Sequence, residues 1–116
     1  MLMSNGTSKV TLYKNEISHL EGVLPDIVNA YHSFTGVCFQ DGALDRKTKE
    51  LIALGISLFA NNEVCTQYHV REARHKGASD AEVLEAVAVA AALGGGHTLS
   101  QGVTRVQEAL RAAENN

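Results

Sequence analysis

Apolar and polar positions alternate along this chain at helical spacing, and the breaks in that spacing divide it into about six helices. Residues 1–8, with Ser4, Asn5, Gly6, Thr7 and Ser8, favour irregular chain and read as a flexible leader. From about Val10 to Gly22, Leu12, Ile17 and Leu20 recur loosely and predict a first helix. Pro25 suits the opening turn of a second, where its missing N–H costs nothing; Ile27, Val28, Tyr31, Phe34 and Val37 follow at helical spacing up to about Cys38 to Gln40. Tyr31 and Phe34 are expected in the core. Asp45 is the expected N-cap of a third helix, whose polar start (Arg46 to Glu50) gives way to Leu51, Ile52, Leu54, Ile56, Leu58 and Phe59. Apolar side chains on nearly every face from Leu51 to Ala60 predict an enclosed helix, and in so small a domain that enclosure calls for a partner subunit. A homo-oligomer is therefore expected.

Asn61 and Asn62 break the pattern, and a fourth helix is predicted over Glu63 to Lys76. Gly77 reads as its closing glycine, and Ser79-Asp80-Ala81-Glu82 as a capping box opening a fifth. The fifth helix carries Val83, Leu84, Val87, Val89 and alanines to Leu93, small side chains that permit close packing. Gly94 to Gly96 interrupt it, and a last helix from about His97 or Thr98 to Ala113 places Leu99, Val103, Val106 and Leu110 on a stripe. The fold class is all-α, a single domain over residues 9–116.

Composition narrows the function classes. The 116 residues suffice for one modest core, and 45% hydrophobic residues with no Trp and one Pro describe an Ala- and Leu-rich helical protein. A net charge of -3 gives no electrostatic case for nucleic acid or an anionic membrane. No apolar run approaches the roughly 20 residues of a membrane span, and the start MLMSNGTSKV lacks a signal-peptide core, so a cytoplasmic protein is expected. Two cysteines, Cys38 and Cys65, make no secreted-type disulfide framework.

The chemistry-bearing stretch runs from Glu50 to His69, ELIALGISLFANNEVCTQYH. Cys65 and His69 are four residues apart, one above the other on a helical face. With Asn62 as N-cap, Cys65 falls at the third helical position, near unpaired N–H groups and the positive end of the helix dipole. Those neighbours and the imidazole are expected to lower the thiol from its free pKa of roughly 8.5. Glu50 would hold the imidazole's tautomer and orientation. The plainer reading makes Cys65 a small buried hydrophobe, His69 a surface residue and Glu50 a solvated charge. Secondary candidates are Asn62, Cys38, Glu72 and His97. Cys38 would resolve an oxidised Cys65 only at a Cα separation below about 7 Å, and a buried structural role is the simpler expectation. Glu72 lies seven residues after Cys65, near the same face; His97 is expected to cap or pack. No metal or cofactor is expected from ligands this sparse.

From Leu44 to Gly96 the segment resembles the carboxymuconolactone decarboxylase and AhpD-like alkylhydroperoxidase family. Glu50, Cys65 and His69 match the Glu, second Cys and His of the AhpD motif, and Gly77 with Ser79 to Glu82 follow in register. Asn62 stands where the motif has its first Cys, so no vicinal disulfide can form. The resemblance implies an AhpD-like helical domain assembled as a trimer or hexamer. It also implies a thiol-dependent peroxidase in which a single Cys65 attacks a small peroxide and an external thiol reductant restores it. Two other functions fit the same resemblance, a lyase acting on a small carboxylated lactone and a non-catalytic helical oligomer that has lost the Cys pair.

Overall fold

In a computed structural model of the protein, which describes residues 6–114, the regular elements are all helical. They are α1 (Gly6–Val23), α2 (Pro25–Cys38), α3 (Arg46–Phe59), α4 (Glu63–His75), α5 (Asp80–Gly94) and α6 (Gly96–Gln101), which continues through a π-helical turn (Gly102–Val106) into α7 (Gln107–Glu114). Taken as rods, the last three stretches are one, and the described residues form the six helices the pattern predicts. Helix α1 already includes Gly6 to Ser8, earlier than the Val10 start expected; the rest of the expected leader lies outside the described residues.

Local chemistry sets the helix ends. The Thr48 amide donates to Asp45 Oδ1 at 2.8 Å, opening α3. At α5 the Glu82 amide donates to Ser79 Oγ at 3.1 Å and the Ser79 amide to Glu82 Oε1 at 2.9 Å, a reciprocal capping box. Gly77 takes φ +96°, beyond the comfortable range of a residue with a Cβ, and lets the Ala78 amide return to the Ala73 carbonyl at 2.9 Å.

The core lies between α3, α4, α5 and the C-terminal rod: Leu54 and Leu58, Val70 and Ala73, Val83 and Val87, Val106 and Leu110 are all buried. Each fully buried Leu or Val contributes about 2 kcal/mol by leaving water. Gly102 sits so close to Val87 that a Cβ there would overlap the valine side chain. Among the described residues, no helix is long and apolar enough to cross a membrane.

Two packing expectations are corrected, on α2 and on the last rod. Tyr31 and Phe34 are 60% and 66% exposed, not in the core, because α2 packs chiefly on α1 and buries only Val28. Within the single chain, α3 is covered on one side: Glu50, Leu54, Ser57 and Leu58 are buried, while Ile52, Ile56 and Phe59 face outward, where the expected enclosure would need a partner subunit. On the last rod Leu99 and Val103 are exposed, and the buried line runs through Thr98, Gly102 and Val106 instead. An ideal α-helix would rotate residues taken in steps of four away from a fixed side. The wider π turn keeps them facing the core.

Candidate functional site

Helices α3 and α4 form a tight helical hairpin around Ala60, Asn61 and Asn62, with Asn61 in the left-handed region at φ 58°. Its side-chain oxygen accepts from Arg105 Nη1 at 2.8 Å, which ties the joint to the C-terminal rod. Asn62 then accepts the Cys65 amide on Oδ1 at 2.9 Å, so the residue in the place of the motif's first Cys is the N-cap of α4.

This hairpin brings Glu50 and His69 together. Glu50 is 1% exposed, and its Oε1 lies 2.7 Å from His69 Nδ1 while its Oε2 accepts from Arg46 Nε at 3.0 Å. A carboxylate so deeply buried is tolerable because both oxygens are bonded to donors. Because Nδ1 donates to Glu50, Nε2 is left as the ring nitrogen able to take a proton. The bond to Glu50 raises the Arg46 guanidinium above its ordinary value, with the charges of Glu50 and Glu72 adding to it. Glu72 Oε1 lies 3.7 Å from Arg46 Nη2, so this candidate meets the group through Arg46.

Aromatic rings fix the imidazole from two sides. Phe39, just beyond α2, stacks on His69 with centroids 5.7 Å apart and planes at 13°, and Tyr68 meets it edge-on at 5.2 Å. Arg46 lies 5.7 Å from the Phe39 ring; Lys14 of α1 and Arg71 of α4 lie 5.6 and 5.9 Å from the Tyr68 ring.

These groups border a cavity of about 550 Å³. Cys65, Tyr68, His69, Glu50 and Arg46 supply one part of its wall, and Tyr13, Lys14, Ile17 and Glu21 of α1 with Tyr31 and His32 of α2 supply another. Cys65 is half-buried, and burial pushes its thiol up from the ordinary value, contrary to the lowered pKa expected from its helix position. Its amide is already spent on Asn62, and burial disfavours the anion.

The other expected candidates lie elsewhere. Cys38 is exposed on the last residue of α2 and does not line the cavity. The Nε2 of His97 lies 3.2 Å from the Phe59 carbonyl, a capping contact on the end of α3. The described residues hold no group of three or more His, Cys, Asp or Glu side chains arranged to share a metal ion. Missed from sequence were Tyr13, Tyr31, Phe39, Arg46 and Tyr68. Only Arg46 carried a usable signal, its position one helical turn before Glu50.

The model of the carboxymuconolactone decarboxylase family matches residues 25–115. The chain belongs to that family. A Legionella pneumophila member of the family, solved in its apo form, superposes with a TM-score of 0.85 at 27% identity, covering 95% of each chain. A Thermotoga maritima member, for which involvement in an antioxidative response has been suggested, gives a TM-score of 0.64 at 29% identity over 75% of this chain and 86% of its own. A Paracoccus denitrificans protein called uncharacterized protein 4 in the cox locus is 39% identical over 70 residues, 60% of this chain. The match spans 63% of that relative's length. Helix α1, with Tyr13 and Lys14, precedes the segment that the family model matches.

Proposed function

We propose that this member of the carboxymuconolactone decarboxylase family is a thiol-dependent peroxidase working through the single thiol of Cys65. The observation that carries the reading is the Glu50–His69 contact of 2.7 Å bordering the same cavity as Cys65. An imidazole fixed through Nδ1 offers Nε2 as a base, and a thiol held up by burial rests protonated until that base takes its proton. The thiolate attacks the distal oxygen of a peroxide ROOH, forming the S–O bond of a sulfenic acid as the O–O bond breaks and RO⁻ leaves. One external thiol condenses with the sulfenic acid, releasing water and leaving a mixed disulfide; a second displaces Cys65 and departs as the oxidised disulfide. Exposure of Cys38 away from the cavity favours an external reductant over an internal partner. The suggested antioxidative role of the Thermotoga relative agrees with this reading. The outward apolar side chains of α2 and α3, among them Ile27, Phe34, Val37, Ile56 and Phe59, support assembly with further copies of the chain.

The test is sulfenic acid trapping in a Cys38→Ser background. Hydrogen peroxide and an organic hydroperoxide should each yield a dimedone adduct at Cys65 by mass spectrometry, and His69→Ala should slow its formation by about a hundredfold. A thiol that stays unmodified while peroxide goes unconsumed would overturn the reading in favour of a non-catalytic helical oligomer.

A further inference from the structure

Displacement at a peroxide oxygen is in line, so the leaving oxygen departs on the side away from the attacking sulfur. Cys65 on α4 and side chains of α1 and α2 border one cavity, so a peroxide held at the thiol has its leaving oxygen in a space that α1 and α2 help to line. Most of the α1 lining is poorly suited to finishing the reaction. Ile17 carries no proton to give, the Ser18 hydroxyl is a far weaker acid than a phenol, and Lys14 is engaged over the Tyr68 ring. The α1 side chain suited to donate is Tyr13.

Resting on the peroxidase reading above, we propose that Tyr13 is a catalytic residue that donates its phenolic proton to the oxygen leaving the peroxide. Two observations meet at this residue. Tyr13 borders the same cavity as Cys65 and His69, and burial first, with the charges of Cys65 and then Tyr31 adding to it, holds its phenol above the ordinary tyrosine value. A phenol held up in this way stays protonated at neutral pH and is a donor throughout the working range.

The proton balance closes without another reactant. His69 takes the thiol proton; the Cys65 thiolate forms the S–O bond, and the O–O electron pair leaves with RO⁻. The Tyr13 proton converts RO⁻ to ROH, and the proton held on His69 restores the phenol by exchange with solvent. The sum is thiol plus ROOH giving sulfenic acid plus ROH.

A general acid on the leaving oxygen matters in proportion to that oxygen's basicity, which makes the proposal separable from a packing effect. The experiment compares sulfenic acid formation at Cys65 by stopped flow with tert-butyl hydroperoxide, whose alkoxide needs a proton to leave, and with 3-chloroperoxybenzoic acid, whose carboxylate does not. The Cys38→Ser protein is measured with and without Tyr13→Phe. Removing the Tyr13 hydroxyl should raise the ratio of the peracid rate to the alkyl hydroperoxide rate by about a hundredfold. Equal slowing with both oxidants, or a ratio that does not move, overturns the proposal while leaving the peroxidase reading standing. A ratio that moves in Tyr31→Phe and not in Tyr13→Phe overturns the assignment to Tyr13. If the parent protein forms no sulfenic acid with either oxidant, the peroxidase reading fails and takes the Tyr13 role with it.

Discussion

The α3–α4 hairpin and the α1–α2 hairpin both carry apolar stripes, and they use them in opposite ways. The first turns Leu54, Leu58, Val70 and Ala73 into a core shared with α5 and the C-terminal rod. The second buries Val10 and Val28 and leaves Leu12, Ile27, Tyr31, Phe34 and Val37 largely outside. What holds the outer hairpin to the body is partly polar, a Lys9–Glu63 ion pair at 2.8 Å and Lys14 over the Tyr68 ring. The inner hairpin fixes the thiol and the base of the proposed chemistry, while the outer one supplies Tyr13 and part of the cavity wall. Precision resides in the packed half and access in the loosely held half, an arrangement expected where substrate must enter and leave.

That division can be broken most severely at Leu58. Leu58→Ala should cost about 3 kcal/mol, read as a lower urea midpoint, because no neighbouring side chain can fill the space left between four packed elements. Glu50→Ala should cost about 2 kcal/mol and slow peroxide reduction, since Arg46 and His69 both lose their buried acceptor; a rate equal to the parent's would remove Glu50 from the mechanism. Smaller in energy is the thiol's own titration. A neutral thiol is favoured by burial, so thiolate accumulates later than in a free cysteine, and alkylation of Cys65 by iodoacetamide should reach half its maximal rate above pH of about 8.5. A midpoint near neutrality would mean that the helix dipole and His69 outweigh desolvation after all. Least in folding energy is Phe34→Ser on the outer hairpin, which should change the stability of the isolated chain by less than about 0.5 kcal/mol and yet reduce the assembly seen by sedimentation. An equally large loss of stability from Phe34→Ser and Leu58→Ala would erase the distinction between the two hairpins.

Local signals in the sequence proved sound. Asp45, Asn62 and Ser79 cap the helices they precede, and Gly77 closes α4, because each acts through atoms within a few residues along the chain. The meeting of Glu50 with His69 was legible as a candidate because the motif specified its residues, although only the hairpin brings them into contact. Tyr13, Tyr31 and Phe39 gave no such signal: they reach the cavity from elements whose spacing says nothing about which way they fold over α4. The α2 stripe was misread for a related reason. Periodicity marks a face that avoids water without naming what covers it, and within the chain α1 covers only part. The Cys65 thiol was misjudged because its position at a helix start is a local property, whereas its desolvation comes from distant residues.

The bend at Asn61 also makes the α3–α4 pair a set of calipers. Glu50 stands eleven residues before Asn61 and His69 eight residues after it, so the two jaws reach roughly 16 and 12 Å from the joint, and they close on each other only in one rotational phase. Arg105 pins that joint from the far end of the chain. One extra residue between Asn61 and Asn62 would leave both helices with every side chain they now carry, and would still turn His69 by about 100° away from Glu50 if α4 kept winding from its present start.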